Sequence, residues 1–531
     1  MKIVNKPYPY YDAPEINSLR ELVDYCTKAH SEKVAFHWLE NKNEKFKTYK
    51  EVNDDITALG EYFINEGYRG KHIAVIGENS YNWIVTYFAT VNSGNVIVPI
   101  DKECTKEDVK YFIEQSDAEI FVHSDDYTEE AEFSGCSILI NMKNFDELLE
   151  KGRELLASGK NEFKNLEIDR DKMCTLVFTS GTTAEPKGVM LSQKNIGTNS
   201  ISVVKSVKLP DTALLMLPLN HTYGVIATTS AMVSGCKIFI NSSLRRLADD
   251  VKYAKPKYIP TVPLVGEVFY KNIWSAIKAS GKENLIKKMI PISNGLRKIG
   301  IDIRRKVFKQ IINGLGGELE LIVTGGAPNH EESISGLTNF GIQVIACYGI
   351  SECSPSVSSM RNDHYDPASV GNALYNVEIK LSEENEILVK GTGVFLGYYK
   401  NEEATKAAMD GEWFKTGDIG ELKDDFLFVT GRIKNLIVLS NGKNVSPEEL
   451  EKEIIKNVPN INEVVVYAND DNIIAEIYVA DATNEMKETI KNEVFALNKN
   501  LPAYKHISNV VFRNNEFEKT TTKKIKRTKR S

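Results

Sequence analysis

The chain has 531 residues, of which 42% are hydrophobic and 26% are charged, and its formal net charge is −7 at pH 7. The length suggests several domains, the composition is typical of a globular protein, and the negative charge argues against a nucleic-acid-binding surface. Seven cysteines without a C-x-x-C pair or a zinc-ligand spacing favour a reduced, intracellular protein.

The N-terminal residues and the apolar runs give no sign of a targeting or membrane-spanning segment. MKIVNKPYPYYDAPEIN lacks the apolar core of a secretory signal. The longest apolar run, WIVTYFATV, is about half of the roughly 18 residues that a spanning helix needs. We therefore expect a cytoplasmic protein, for which peripheral contact with a membrane stays open.

Short apolar runs alternate with amphipathic stretches over most of the chain. In residues 48–67, Val52, Ile56, Leu59 and Phe63 recur at steps of three and four, which predicts a helix. This alternation predicts an α/β fold whose largely parallel sheet carries helices on both faces. The predicted buried strands are HIAVIG (72–77), EIFVHS (119–124), CTLVFTS (174–180), ALLMLPL (213–219), KIFIN (237–241), LELIVTGG (319–326) and VIACYG (344–349).

The pattern restarts near residue 430, after a turn-rich and strand-like stretch. A helix is predicted from Pro447, followed by the strands EVVVYAN and IIAEIYVA and a second helix. We therefore predict a large domain over residues 1–432 and a small domain over residues 433–531.

The predicted strand CTLVFTS runs directly into TSGTTAEPKG, residues 179–188. Ligands of open α/β sheets bind beyond the carboxyl ends of strands, where glycines let backbone N–H groups approach an anion. Together with the charge of Lys187 and the loop hydroxyls, this suits a polyphosphate. The loop is not a Walker A motif, because Pro186 and Gly188 stand where that motif needs glycine and serine or threonine. A surface loop rich in serine and threonine is the alternative.

The order T-S-G-T-T-x-x-P-K-G resembles the phosphate loop of the adenylate-forming enzymes. That family includes acyl- and aryl-CoA synthetases, luciferases and the adenylation domains of peptide synthetases, and most members have glycine at the position of Ala184. Further family motifs are matched, in family order, by Gly325-Gly326-Ala327-Pro328, Tyr348-Gly349-Ile350-Ser351-Glu352, Thr416-Gly417-Asp418, Gly431-Arg432-Ile433-Lys434 and KTTTKKIKR (519–527). The chain is identified as a member of this family, most similar to its long-chain fatty acyl-CoA synthetase branch.

The resemblance implies the fold and the ligands. It implies a large N-terminal domain of layered sheets and helices, a small mobile C-terminal α+β domain with its hinge at Lys434, and the use of ATP, Mg²⁺ and coenzyme A. Mg²⁺ would be held by Thr179 and Glu352, and Asp418 would accept both ribose hydroxyls. The complete predicted nucleotide site is Thr179, Ser180, Gly181, Thr182, Thr183, Lys187, Gly326, Ala327, Cys347, Tyr348, Gly349, Ser351, Asp418, Arg432 and Lys524.

Three residues are predicted to be catalytic. The family's catalytic lysine falls on Lys524, in a basic tail where Lys523 replaces a family glycine and where solvated charge is the alternative. Lys187 would bind the phosphates. His221 resembles the histidine that closes the acyl pocket, with a packing role as the alternative.

The predicted acyl pocket is apolar, small-sided or aromatic, and its residues are His221, Tyr223, Gly224, Val262 and Ile350. The stretch HTYGVIATTSAMVSG has no acidic residue that could hold an ammonium group, so an amino-acid substrate is disfavoured. Cys174, Cys236 and Cys347 lie in apolar runs, which is typical of cysteines that pack in a core and not of cysteines that act as nucleophiles.

The predicted activity is therefore the adenylation of a carboxylic acid, favoured to be a medium- or long-chain fatty acid, and its transfer to coenzyme A. In the family the small domain rotates between these steps, which would bring the loop 439–451 to the site for the second one. Loading of an acyl-carrier protein, ligation of an aryl acid and a non-catalytic nucleotide-binding regulator are the alternatives.

Overall fold

The structure is a computed structural model that describes residues 9–179, 186–440, 443–469 and 471–519, with Ile525, Arg527 and the backbone of Ile3–Val4. It divides into two compact units. The large unit contains residues 6–378 and 390–412, and the small unit contains residues 1–5, 379–389 and 413–531. The small unit thus includes the hairpin that precedes Lys434, whereas the predicted small domain begins after it, so the predicted hinge position stays a prediction.

The large unit contains two largely parallel sheets, of which the first is antiparallel at both edges and the second at one edge only. The nine strands of the first are, across the sheet, Asn372–Ala373, Ser356–Ser359, Gln343–Gly349, Leu321–Thr324, Tyr258–Thr261, Thr212–Leu215, Lys237–Ile240, Val34–Glu40 and Asn43–Thr48. The seven strands of the second are Gly397–Tyr398, Lys187–Ser192, Met173–Thr179, Val96–Pro99, His72–Ile76, Ile120–His123 and Ile138–Asn141. The predicted α/β fold class is confirmed.

Helices separate these strands along the chain. The α-helices are Leu19–His30, Tyr49–Asn65, Tyr81–Asn92, Lys106–Ser116, Thr128–Phe133, Phe145–Ala157, Glu162–Asn165, Gln193–Ser206, Thr222–Val233, Leu247–Ala254, Pro263–Ala279, Glu283–Lys298, Arg304–Val307, Lys309–Gly314, Glu331–Asn339 and Glu402–Ala407. Short 3₁₀ turns lie at Asp125–Tyr127, Met142–Asn144, Leu244–Arg246 and Ser351–Cys353, and a short strand lies at Met409–Asp410. Among the described residues, no helix has both the length and the apolar character needed to cross a membrane.

The predicted helix over 48–67 is present as Tyr49–Asn65 and begins at a capping box. The Thr48 side chain accepts a hydrogen bond from the Glu51 N–H, and the Glu51 carboxylate accepts one from the Thr48 N–H. The predicted strand 213–219 ends earlier, at Leu215, because the chain turns at Pro218, whose carbonyl accepts a hydrogen bond from the His221 N–H at 3.2 Å.

The small unit is built from antiparallel strands, a three-stranded sheet and two helices. The antiparallel strands are Val377–Leu381, Glu386–Gly391, Trp413–Lys423 and Phe426–Arg432, with Ile3–Val4 paired to the first and a two-stranded piece at Ile437–Val438 and Asn444–Val445. The three-stranded sheet contains Glu463–Asn469, Asn472–Tyr478 and Ile507–Arg513. The helices are Pro447–Asn457 and Asn484–Leu497, and 3₁₀ turns lie at Ile433–Asn435, Asn498–Asn500 and Ala503–Lys505. The helix predicted from Pro447 and both predicted strands are confirmed.

Candidate nucleotide and acyl site

Several predicted site residues follow neighbouring strands of the nine-stranded sheet. In sheet order they are Ile350, Gly326, Val262 and His221, each located after the carboxyl end of a different parallel strand. Parallel strands end at the same edge of a sheet, so the topology gathers these residues at one edge, where ligands of α/β folds bind. Motifs that are distant in the sequence therefore come together.

The predicted phosphate loop connects two antiparallel strands of the seven-stranded sheet. Thr179 ends one strand and pairs in the ladder with Lys187, which begins the next, and the Thr179 hydroxyl donates to the Lys187 carbonyl at 3.4 Å. The loop residues predicted to bind phosphate, Ser180, Gly181, Thr182 and Thr183, lie outside the described residues, as does Ala184.

Lys187 and Glu352 meet around Tyr398, a residue that the sequence analysis missed. The Tyr398 hydroxyl donates to the Glu352 carboxylate at 2.9 Å, and the Lys187 ammonium lies 4.8 Å from the centre of the Tyr398 ring. Burial and the neighbouring Glu352 charge raise the pKa of Tyr398, so it stays a neutral donor. Within the described residues, neither Lys187 nor Glu352 forms an ion pair, which leaves a cation and a carboxylate for a ligand.

The segment after Glu352 is held by Asn199, which is 2% exposed. Its side-chain amide donates to the carbonyl oxygens of Cys353 at 3.3 Å and Ser356 at 2.9 Å, and it accepts from the Ser356 N–H at 3.1 Å. One turn earlier on the same helix, Asn195 donates to the carbonyl of Val394 at 3.0 Å, near Tyr398. One helix therefore fixes both chain segments that supply the Glu352–Tyr398 pair.

Gly349 is required by close packing of the main chain. A Cβ atom at this position would lie 2.0 Å from the carbonyl oxygen of Pro355. A side chain would therefore push apart the strand that carries Tyr348 and the segment that follows Glu352.

Tyr223 crosses from its helix to two strands of the nine-stranded sheet. Its hydroxyl donates to the Val323 carbonyl at 3.1 Å and lies 3.8 Å from the Cys347 sulfur, whose thiol donates to the Thr324 carbonyl at 3.3 Å. Burial raises the pKa of Cys347 to about 11, so this thiol stays protonated, in agreement with a packing role.

The other predicted pocket residues lie at the start of the helix Thr222–Val233. His221 precedes it, with its Nε2 atom 3.7 Å from the Asp101 carboxylate. Gly224 packs against the chain turn, since an added Cβ would lie 2.2 Å from the Pro218 carbonyl oxygen. A small apolar cavity lies on the opposite side of this helix and is lined by other residues, among them Tyr87, Val177, Leu219, Val225 and Ile226.

In the small unit, Asp418, which is predicted to accept the ribose hydroxyls, and Arg432, another residue of the predicted nucleotide site, are neighbours. Asp418 and Arg432 are ladder partners in the antiparallel hairpin, and the Arg432 Nε atom lies 2.8 Å from the Asp418 carboxylate. Asp418 is 2% exposed, whereas Arg432 is about half-buried. The arginine thus compensates a buried carboxylate that would otherwise be costly to ionise.

Two described residues near the C-terminus, Lys519 and Arg527, contact the edge strand Glu463–Asn469 or the helix beside it. Arg527 donates to the Glu451 carboxylate at 2.5 Å and to the Val466 carbonyl at 3.4 Å, while Glu451 accepts from the Val466 N–H at 2.6 Å. Lys519 pairs with Glu463 and forms a β-bridge with Ile525. Lys523 and Lys524 lie outside the described residues.

The described residues fit a Mg²⁺–nucleotide ligand. A hard cation prefers carboxylate and phosphate oxygens, and Glu352 supplies a carboxylate that is oriented by a neutral donor and has no ion-pair partner in the described residues. Lys187 supplies a cation for phosphate within the same cluster.

Lys434, the predicted hinge, is exposed in the 3₁₀ turn Ile433–Asn435.

Comparisons with known proteins agree with this architecture. The model of the AMP-binding enzyme family matches residues 23–399, and that of the AMP-binding enzyme C-terminal domain matches residues 434–530. The chain therefore belongs to the AMP-binding enzyme family. The recognition as an adenylate-forming enzyme is confirmed, and so is the assignment as an AMP-forming ligase with the ATP, Mg²⁺ and coenzyme A use expected of that class.

Relatives within the family carry ligase names. The long-chain-fatty-acid–CoA ligase 5 of Rattus norvegicus is 29% identical over 471 residues, covering 79% of this chain and 68% of its own. The anthranilate CoA ligase AuaEII with anthranoyl-AMP superposes with a TM-score of 0.76 at 18% identity, covering 99% of this chain and 97% of its own. The o-succinylbenzoate coenzyme A synthetase of Bacillus subtilis with ATP and magnesium superposes with a TM-score of 0.72 at 20% identity, covering 97% and 98%.

Proposed function

We propose that this protein activates a medium- or long-chain fatty acid with ATP and transfers the acyl group to coenzyme A, with release of AMP and pyrophosphate. The observation that carries the proposal is the cluster of Lys187, Tyr398 and Glu352, where opposite charges lie close together and both remain available to a ligand. A site for a magnesium-bound polyphosphate needs this combination.

The chemistry explains why these charges are needed. The carboxylate of the acid attacks the α-phosphorus of ATP, so two negative groups must approach each other. Two unit charges about 4 Å apart interact by about 4 kcal/mol at an effective dielectric constant near 20, which is large enough to control the rate. Mg²⁺ held by Glu352 and Thr179 would supply positive charge at the phosphates.

The residues of the chain would divide the remaining work. Lys187 holds a positive charge against the phosphates, and Tyr398 keeps the Glu352 carboxylate oriented through its hydroxyl. Asp418 accepts the ribose hydroxyls, with Arg432 beside it. Lys524 approaches the acid and the α-phosphate in the first step and withdraws in the second, when a thiol displaces AMP from the acyl-adenylate.

Two observations support a fatty acid as the substrate. The helix that follows His221 contains no acidic residue for an ammonium group, and it carries the aromatic ring of Tyr223, one of the predicted pocket residues. The relative from Rattus norvegicus is named a long-chain-fatty-acid–CoA ligase, whereas AuaEII is named an anthranilate ligase, so an aryl acid is the second candidate. We place the reaction in the cytoplasm, since all seven cysteines are free thiols.

Acid-dependent exchange between ATP and pyrophosphate tests the proposal over a panel of fatty, aryl and amino acids. We expect exchange with fatty acids and formation of a CoA thioester once coenzyme A is added. Exchange without a CoA thioester would indicate that the acceptor is the thiol of an acyl-carrier protein, and absence of exchange with every acid would overturn the proposal.

The predicted acyl pocket can be tested by removing the ring of Tyr223. Tyr223→Ala should shift the substrate preference towards bulkier acids, whereas Tyr253→Ala, at a tyrosine that is 48% exposed, should leave the preference unchanged.

A further inference from the structure

The helix Glu283–Lys298 exposes an apolar stripe that the proposed reaction does not use. Leu285 and Ile292 are 57% and 53% exposed, and Ile299, directly after the helix, is 70% exposed. With the half-exposed Met289 and Leu296 between them, they recur at steps of four and three residues and share one helix face. At a rise of about 1.5 Å per residue, the stripe is about 21 Å long.

The same helix packs against the rest of the large unit through a different face, on the side away from the stripe. The Asn294 side chain donates to the Asn339 side chain at 2.7 Å, Arg297 donates to the Tyr365 hydroxyl at 3.1 Å, and Ser293 is fully buried. Successive residues turn by about 100° around a helix, so these positions point away from the stripe. The stripe therefore faces outward although the helix is packed.

The segment that contains this helix is positively charged in a protein that is negatively charged overall. Residues 263–309 contain eleven lysine and arginine residues and three carboxylates, against a net charge of −7 for the chain. On the helix itself, Lys287 pairs with Glu283 at 2.8 Å, whereas the described residues offer no ion-pair partner to Lys288, which is exposed and lies beside Leu285 and Ile292 on the helix surface. The apolar stripe is thus flanked by uncompensated positive charge.

We propose that this face docks on the surface of an anionic lipid bilayer, with the helix lying in the interface and its aliphatic stripe directed towards the acyl chains. Helices with an aliphatic face bordered by lysines bind in this way, because apolar burial and attraction to anionic headgroups act together. Docking does not depend on the proposed reaction. If that reaction is correct, docking also brings the enzyme to the phase in which a fatty acid dissolves.

The composition of the stripe favours a lipid surface over a protein partner. Protein interfaces are enriched in aromatic residues, methionine and arginine and depleted in lysine, whereas four of the five stripe residues are leucine or isoleucine and a lysine lies beside them. Each lysine near an anionic membrane strengthens binding by roughly fivefold, and this attraction weakens as salt is added.

Co-sedimentation of the full chain with vesicles tests the proposal. Vesicles of phosphatidylcholine with phosphatidylglycerol should bind the protein, vesicles of phosphatidylcholine alone should bind it weakly, and added salt should release it. Ile292→Asp should lower the affinity at least tenfold, and Lys288→Glu should lower it by at least roughly fivefold. The matched control is Leu244→Asp, at a leucine that is 52% exposed elsewhere on the large unit, and it should bind like the parent.

Other outcomes would overturn the proposal. Equal vesicle binding by Ile292→Asp and the parent would exclude this face, as would absence of binding to anionic vesicles. Concentration-dependent dimers that Ile292→Asp abolishes would assign the stripe to a second copy, and salt-sensitive binding of an acidic acyl-carrier protein would assign it to a protein. Circular dichroism of each variant, together with exchange activity on a detergent-dispersed acid, separates these results from misfolding and from failure of the proposed reaction.

Discussion

The Glu352 cluster of the large unit and the C-terminal residues of the small unit hold their charged groups in opposite ways. In the large unit, Glu352 is oriented by the neutral hydroxyl of Tyr398, and the segment after it is held by the amide of Asn199. In the small unit, the C-terminal segment is attached by the ion pairs Arg527–Glu451 and Lys519–Glu463. The comparison teaches that the carboxylate proposed to bind the metal is supported by neutral groups, whereas the charges that hold the end of the chain are paired with each other; Asp418, which is paired with Arg432, combines a ligand role with an ion pair.

Removing the charge of Glu352 should have the largest effect. Glu352→Gln keeps the side-chain size and an acceptor for Tyr398 but loses the negative charge proposed to hold Mg²⁺. We expect acid-dependent ATP–pyrophosphate exchange to fall by roughly 10²–10³, the usual effect of losing one preorganised electrostatic group. Glu403→Gln, at an exposed glutamate of the same unit, should keep normal exchange. If Glu352→Gln retained most of its activity, the assigned role of this carboxylate would be wrong.

The neutral support should matter for stability as well as for the site. Asn199→Ala removes the partner of three backbone groups, two of them carbonyls and one an N–H, in a buried environment. We expect the free energy of unfolding of the large unit to fall by about 3 kcal/mol, measured by urea titration with tryptophan fluorescence. Asn284→Ala, at an exposed asparagine in a helix, serves as the control. A change below about 1 kcal/mol would mean that water replaces the lost amide.

The ion pair in the small unit should affect one half-reaction selectively. Glu451→Gln removes the carboxylate that accepts a hydrogen bond from Arg527 and so loosens the segment that carries Lys524. We expect exchange to fall about tenfold, in line with the value of a hydrogen bond to a charged group, while thioester synthesis from a supplied acyl-adenylate stays unchanged. The matched control is Glu449→Gln. Glu449 lies on the same helix as Glu451, and this substitution breaks its ion pair with Lys505. Equal losses in both half-reactions would refute the selective role.

The smallest effect concerns pH. Burial raises the pKa of Glu451 to about 7 from an ordinary value near 4.5, with Arg527 opposing the shift. Between these two values the folded chain binds a proton that the unfolded chain releases, so this residue stabilises the fold at lower pH and loses that contribution as the pH rises to about 7. Hydrogen–deuterium exchange of the helix Pro447–Asn457, compared between the parent and Glu451→Gln at each pH, should give a ratio that changes across this range. A constant ratio would contradict the shifted pKa.

The sequence predicted the fold well where the signal is local. The periodicity around Val52 and Ile56 and the apolar runs gave the helix and the strands, because both depend on neighbouring residues. The family motifs predicted which loops approach one another, and the order of the parallel strands agrees with that grouping.

The supporting residues of the site could not be predicted in this way. Tyr398, Asn199 and Glu451 act through contacts with residues 46, 154 and 76 positions away, and nothing near them in the chain indicates those partners. Among these supporting contacts, only those of Asn195 and Asn199 could have been expected from the sequence. Two amides one turn apart on a helix face that is otherwise buried must find partners, which predicts hydrogen bonds to a neighbouring segment.

The way in which Glu451 and Arg527 cover Val466 also protects the protein from aggregation. Glu463–Asn469 is the outer strand of its sheet, and its unpaired N–H and C=O groups would be a template for a strand from another molecule. At Val466 the glutamate and the arginine occupy these groups. Proteolytic removal of the last residues would uncover this edge and favour β-sheet association between truncated copies.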